Sequence, residues 1–269
     1  MIASSLERLL RELPGHARVL DVGGWGKPLR RADAVLDQMP YATRGLYGFD
    51  GDEPERFDEE SWVVWDICDR RPWPFGDGAF DFVVCSQTLE DLRDPVWVCS
   101  ELVRVARAGY IEVPSRLEEQ AYGVQGPWVG WGHHHWLVDV SPARIEFVLK
   151  HHVVHGRPSA HFPAGFAATL TEEERVSQLW WRGSFAFGER VLVDADGVDG
   201  YLDGFVAAEL AHRGWSPLSS ARPGLVSQGR RAVRKALAGR FPRAARWPSF
   251  RGGPTRMAAG GWTETKERP

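Results

Sequence analysis

The chain has 269 residues, and 43% hydrophobic and 12% aromatic residues are enough to bury the core of one large domain or of two small ones. Its three cysteines form no C-x-x-C pair, which argues against a disulfide framework and against a thiolate zinc site. The net charge of −3 is unevenly spread, because residues 222–269 carry 12 Arg and Lys against two Glu, or +10, which leaves −13 for residues 1–221.

The first sixteen residues interleave charged side chains with leucines at helical spacing. They contain no uninterrupted apolar segment of the length that a signal peptide or a membrane span requires. We therefore expect a cytoplasmic protein with no membrane span.

Five short apolar runs, rich in valine and aromatic residues, predict strands at 18–22, 33–37, 62–66, 80–85 and 109–113. Between the last two runs, apolar residues recur at helical spacing up to Gly109, which predicts a strand, helix, strand unit. Near-continuous apolar strands joined by a helix indicate a doubly wound, mostly parallel α/β sheet. Ligands bind such sheets beyond the carboxyl ends of the strands.

The pattern changes after residue 115. Two apolar runs, 136–140 and 144–155, predict further strands, and residues 178–194 predict an aromatic hairpin. We therefore divide the chain into a core (1–156), a β-rich elaboration of the same domain (157–220) and a basic Pro/Gly-rich tail (221–269). We expect at least the last thirty residues of this tail to be irregular and the tail to act as a solubilising or docking arm.

The segment VLDVGGWGKPL places three glycines, Gly23, Gly24 and Gly26, directly after the first strand. A sharp turn and a close approach of backbone to ligand both favour residues without a Cβ atom. Asp37 ends the second strand, where a carboxylate accepts hydrogen bonds from both hydroxyls of a ribose. The two features together predict a nucleoside ligand.

Only seven residues, 27–33, separate Gly26 from the second strand, so any helix there has about one turn. NAD depends on the N-terminus of that helix to stabilise its pyrophosphate, whereas S-adenosylmethionine has no phosphate. The spacing D-x-G-G-x-G also departs from G-x-G-x-x-G. S-adenosylmethionine is therefore favoured over NAD.

Three stretches, DVGGWG, WDICDRRPWPFGDGAFDFVVCSQTLEDLRDP and ELVRVARAGYIEVPS, resemble the core of class I S-adenosylmethionine-dependent methyltransferases, in the branch known as type 11. The resemblance covers roughly residues 15–115. Trp25 and Lys27 depart from it, because small residues are usual there, and Asp91 takes the place of the histidine in the family's LEHL motif.

The resemblance implies a Rossmann-like fold that binds S-adenosylmethionine through residues at the strand ends. It implies Asp21 and Gly23 near the methionine moiety, Asp37 on the ribose, Asp66 with the Ile67 backbone on the adenine, and Ser86 and Gln87 lining the cofactor; Gly24 and Gly26 complete the glycine loop.

The run of three histidines at 133–135 follows the fifth strand, whose carboxyl end opens onto the cofactor. If the run enters a strand, side chains alternate, so His133 and His135 share one face and three histidines cannot bind one metal ion. We expect no metal and propose His134, with His135 next, as a general base. Purely structural imidazoles, or a metal completed by His151, His155 or a carboxylate, remain alternatives.

The predicted activity is O-methylation of a small-molecule or glycan-like acceptor. One alternative is a catalytically inactive partner protein that keeps the fold, and the other is a nucleic-acid methylase. The net charge of −13 on residues 1–221 would repel phosphates, and no N/D-P-P-Y/W motif follows the fourth strand. A nucleic-acid substrate is therefore disfavoured. The sequence predicts no oligomeric state.

Overall fold

The computed structural model of the chain describes residues 1–215, and all of them belong to one compact unit. The predicted tail at 221–269 lies outside the described residues. The helices are α1 (Ala3–Glu12), α2 (Pro95–Val105), α3 (Arg116–Glu119), α4 (Val153–Gly156) and α5 (Ala195–His212). The strands are β1 (Val19–Val22), β2 (Ala34–Asp37), β3 (Trp62–Val64), β4 (Phe82–Ser86), β5 (Ala108–Pro114), β6 (Trp136–Ser141), β7 (Arg144–Leu149), β8 (Val176–Arg182) and β9 (Ala186–Glu189).

The main sheet has six strands in the order β3-β2-β1-β4-β5-β8. The first five are parallel, and β8 pairs antiparallel with β5 at one edge. The order reverses between β1 and β4, as in doubly wound nucleotide-binding sheets, so the carboxyl ends of these two strands border a crevice.

Apolar side chains cover both faces of this sheet because neighbouring residues of a strand point to opposite sides. On one face Leu20 and Val83 pack in a cluster with Leu102 of α2, and on the other Val19 packs in a cluster with Leu9 of α1. The α/β, doubly wound, mostly parallel sheet predicted from the apolar runs is therefore confirmed. Within residues 1–215, no helix combines the length and the apolar character needed to cross a bilayer.

No helix lies between β1 and β2, as the seven-residue link predicts. The buried Arg31 side chain ties this link to the segment after α1, because its guanidinium donates to the carbonyls of Pro14 at 2.9 Å and Ala17 at 2.8 Å. Side-chain hydrogen bonds therefore stabilise a connection that a crossover helix usually makes.

A second sheet, in the order β6-β7-β9, packs against the main sheet. The hairpin predicted over 178–194 is wrong, because β8 joins β5 while β9 pairs parallel with β7. The chain turns at Gly183, and Trp181, Phe185 and Phe187 pack in or against the core that the two sheets share. Burial of these rings outweighs pairing between the two neighbouring strands.

The strand predicted over 144–155 is also too long. β7 ends at Leu149, Lys150 turns its ammonium group inward, and Val154 of α4 packs in a separate apolar cluster.

The helix α5, which runs for 18 residues near the end of the elaboration, is not among the elements predicted from the sequence. Asp194 caps it by accepting from the Gly197 N–H at 2.6 Å.

Candidate active site

A cleft of about 980 Å³ opens at the carboxyl ends of β1, β2 and β4. Its volume is typical of small-molecule sites, which span roughly 300–1,000 Å³. All eleven residues predicted for cofactor binding and catalysis line it. The structure therefore brings the glycine loop, the strand-end acids and the histidine run together around one cavity.

The glycine loop needs residues without side chains at two positions. Gly23 has φ +76°, and a Cβ atom there would lie 2.3 Å from Thr88 Oγ1, while one at Gly24 would lie 2.2 Å from Asp21 Oδ2. The Gly23 N–H also donates to the Leu36 carbonyl at 2.9 Å. The loop is thus held against β2 and leaves room for the Asp21 carboxyl group.

Asp21 is fully buried beneath this loop. Its Oδ2 accepts from the Leu29 N–H at 2.9 Å. Burial, which outweighs that hydrogen bond, raises the pKa of Asp21 to about 7. A cationic ligand beside the carboxyl group would favour its ionised form and so lower that pKa.

Asp37 ends β2 and is held by backbone N–H groups on both carboxylate oxygens. Trp25 N–H donates to Oδ2 at 3.1 Å, and Met39 N–H donates to Oδ1 at 2.8 Å. Burial raises the pKa of Asp37, and these donors oppose that rise. The carboxylate lies in the cleft in one orientation, and each oxygen has a second lone pair for a ligand hydroxyl.

Asp66 and Ile67 lie beyond the end of β3. The Asp66 carboxylate is exposed, accepts from Cys68 N–H at 3.0 Å and forms an ion pair with Arg93 at 2.7 Å. The Ile67 side chain is buried against the core. Asp66 therefore borders the mouth of the cleft, and Ile67 contributes an apolar wall.

Ser86 ends β4 and Gln87 follows it, and both side chains donate to Glu112 of β5. The Ser86 hydroxyl lies 3.0 Å from Glu112 Oε1, and Gln87 Nε2 lies 3.2 Å from the same oxygen. Gln87 adopts φ +53°, which is uncommon for a residue with a side chain. The role of Glu112 could not be predicted from the sequence, because Glu112 stands there as one polar residue within a buried strand.

His134 is almost fully buried and is oriented by a carboxylate. Its Nδ1 lies 2.7 Å from Glu119 Oε1, and Lys150 Nζ donates to the other oxygen of Glu119 at 2.7 Å. Burial would raise the pKa of Glu119, but the bonds to His134 and Lys150 outweigh it and hold that pKa below its ordinary value. The ionised Glu119 favours the tautomer with hydrogen on Nδ1, which leaves the Nε2 lone pair free.

The three histidines do not enter a strand, because residues 133–135 precede β6, so the alternation expected of a strand does not apply to them. The rings of His133 and His134 lie side by side with centroids 4.5 Å apart. Asp91 Oδ1 lies 3.8 Å from His134 Nε2 and 3.9 Å from His133 Nε2. His135 also lines the cleft but is exposed.

Glu90, next to Asp91, is a buried acid in the wall of the cleft. Burial and the neighbouring carboxylates raise the pKa of Glu90 well above its ordinary value. Within the described residues its Oε2 has no hydrogen-bond partner. A protonated Glu90 could therefore donate a hydrogen bond to a bound molecule.

Solved structures similar to this chain include three from prokaryotes. A candidate methyltransferase of Bacillus halodurans C-125 is 20% identical over 42% of this chain and 52% of its own, with TM-score 0.32. A SAM-dependent methyltransferase of Aquifex aeolicus is 19% identical over 45% and 69%, with TM-score 0.29. One of Methanosarcina mazei is 14% identical over 49% and 85%, with TM-score 0.32. This chain thus spans about half the length of the Bacillus protein.

No curated protein matches the chain. Residues 47–111, however, match the family model described as a methyltransferase domain. The matched segment contains β3, β4, α2 and part of β5, and it leaves out the glycine loop and the histidines. This match and the strand order of the main sheet agree with the class I methyltransferase core that the sequence predicts.

Proposed function

We propose that the protein transfers a methyl group from S-adenosylmethionine to a hydroxyl oxygen of a small-molecule or glycan-like acceptor. The observation that carries this proposal is the Glu119–His134 pair, whose free imidazole nitrogen faces the same cleft as Asp21 and Asp37. A nucleoside site and an oriented base therefore share one cavity.

The chemistry of the cleft suits S-adenosylmethionine. Asp37, fixed by two backbone donors, would accept from the ribose hydroxyls, and Asp21 would face the cationic methionine moiety. Ile67 would contact the adenine, with Asp66 near its edge. The link after β1 has no helix N-terminus for a pyrophosphate, which disfavours a dinucleotide.

S-adenosylmethionine supplies a methyl group on a positively charged sulfur, which makes that carbon open to attack by a lone pair. The protein's part is to hold the acceptor in line and to exclude water. An alcohol must also lose its proton as it attacks, and in this proposal His134 Nε2 accepts it, supported by the bond that Nδ1 makes to Glu119. Glu119 then stabilises the imidazolium that forms.

A labelled-methyl assay tests this proposal. Wild-type protein and S-adenosylmethionine carrying a radioactive methyl group are incubated with panels of hydroxylated small molecules and glycans. We expect His134→Ala to lower turnover by about a hundredfold or more while cofactor affinity holds, the usual effect of losing a general base. His135→Ala, whose exposed ring has no such carboxylate at Nδ1, serves as the matched control and loses less.

Glu119→Gln should lower turnover as well, because the amide no longer stabilises an imidazolium. Full activity in both His134→Ala and Glu119→Gln would refute the general base. Activity that a chelator abolishes and a divalent ion restores would refute it too.

A further inference from the structure

Three side chains that line the cleft offer metal-binding atoms to one point. Asp91, His133 and His134 each provide one such atom, and these atoms all lie within 4.8 Å of one another. The Asp91 oxygen lies 3.8 Å and 3.9 Å from the Nε2 atoms of the two histidines. Two imidazole nitrogens and one carboxylate oxygen form the donor set of many open transition-metal sites.

The three ligand atoms must move closer together to hold an ion. Around a tetrahedral ion with bonds of about 2.1 Å, ligand atoms lie roughly 3.4 Å apart. The side chains of Asp91 and His133 are 40% and 56% exposed, so both can rotate, while His134 is 7% exposed and fixed. One rigid ligand and two adjustable ligands can therefore close on an ion with little strain.

The orientation of His134 is that of a metal ligand with an outer partner. Histidines that bind metals usually donate their other ring N–H to a carboxylate, which fixes the ring and raises its basicity. Glu119 occupies this position on Nδ1 of His134, and Lys150 holds Glu119 in turn. Nε2 of this oriented ring lies 3.8 Å from Asp91 Oδ1.

We propose that Asp91, His133 and His134 bind one divalent transition-metal ion of the Zn²⁺ type, with an open coordination position facing the cleft. Imidazole donors favour such ions over Mg²⁺, which prefers oxygen ligands and keeps its water. The site draws its ligands from the segment after β4 and from the turn before β6.

The ion competes with the proposed reaction. His134 Nε2 has one lone pair, which either accepts the acceptor's proton or binds the ion. Occupancy by the ion therefore inhibits methyl transfer. This consequence rests on the proposed function, whereas the binding of the ion does not.

The test is calorimetric titration of the chelator-treated full chain with ZnCl₂, with MgCl₂ as the comparison ion. We expect one equivalent of Zn²⁺ to bind and Mg²⁺ not to compete. His133→Ala and Asp91→Asn should each weaken Zn²⁺ binding by tenfold or more, and Glu119→Gln by about 10- to 100-fold, as for outer-shell partners elsewhere. His152→Ala, an exposed histidine outside the cluster, should bind as wild type.

Two results would overturn the site: no saturable Zn²⁺ binding by wild type, or unchanged binding by His133→Ala. Titration of the same samples with S-adenosylmethionine separates the two proposals. If the chain binds S-adenosylmethionine but not Zn²⁺, only the metal site is refuted. If it binds Zn²⁺ but not S-adenosylmethionine, only the proposed function is refuted. In the labelled-methyl assay, Zn²⁺ should inhibit wild type, while the activity of His133→Ala should resist inhibition by Zn²⁺.

Discussion

Two carboxyl groups in the cleft differ in how the protein holds them. Asp37 has a backbone donor on each oxygen, whereas Asp21 is deeper and has one such bond, from Leu29. Hydrogen bonds to the charged form favour ionisation, and burial opposes it. We therefore expect Asp37 to act as a fixed acceptor and Asp21 to respond to the charge of a bound ligand.

Asp37→Ala should weaken binding of S-adenosylmethionine by about 1–3 kcal/mol, because charge-assisted hydrogen bonds to the ribose are lost. Calorimetry measures this directly. Asp37→Asn, which keeps an acceptor for one backbone N–H, should bind with intermediate affinity, and Asp52→Ala, an exposed acid outside the cleft, should bind as wild type. Unchanged affinity in Asp37→Ala would refute the ribose contact.

The raised pKa of Asp21 predicts that the free energy of unfolding depends on pH. An acid with a pKa of 3.8 when exposed and about 7 when folded stabilises the fold most below pH 3.8 and loses that contribution as the pH rises to 7. In Asp21→Asn an uncharged amide replaces the carboxyl group, so no charge is buried at any pH. Its free energy of unfolding should exceed that of wild type above pH 7, by at most on the order of 4 kcal/mol, and the gain should shrink toward pH 4.

Urea unfolding of both proteins at pH 5 and pH 8 checks this, with Asp52→Asn as the exposed control. The stabilised variant should also bind S-adenosylmethionine more weakly, since it cannot carry a negative charge beside the methionine moiety. An equal stability difference at both pH values would show that Asp21 does not titrate in this range.

At the scale of elements, the five parallel strands of the main sheet could be predicted because each is a short apolar run that suits burial within a sheet. The separate pairing of β8 and β9 and the helix α5 could not. The aromatic residues of 178–194 suit a hairpin as well as two separate sheets, and only packing onto the main sheet distinguishes them. α5 contains Gly197, Gly200 and Gly204, which weaken its helical signal, so packing of Tyr201 and Val206 stabilises it instead.

The glycine loop gives a prediction at this scale. Gly23→Ala should lower the free energy of unfolding by at least about 1–2 kcal/mol, because the left-handed φ is unfavourable for alanine and the Cβ atom would overlap Thr88. Thermal or urea denaturation measures the change. Gly15→Ala, where φ is ordinary and no atom lies within 4 Å of the added Cβ, is the matched control. Equal stability of the two variants would show that the turn has another conformation.

At the scale of the whole molecule, the site combines segments far apart in the chain. The glycine loop and strand-end acids could be predicted because motif and spacing are local. Glu119 and Lys150 could not, since 15 and 16 residues separate them from His134 and only the folded chain brings all three together. Asp91 is also distant from the histidines in the sequence. It lies after β4, and the fold brings its carboxylate to 3.8 Å from Nε2 of His134, which precedes β6.

The central claim is that the cleft binds S-adenosylmethionine, and calorimetric titration of the wild-type protein with S-adenosylmethionine and with NAD tests it most directly. We predict saturable binding of S-adenosylmethionine at one site per chain and no comparable binding of NAD, because the link after β1 lacks the helix N-terminus that a pyrophosphate needs. Tighter binding of NAD than of S-adenosylmethionine would contradict the account.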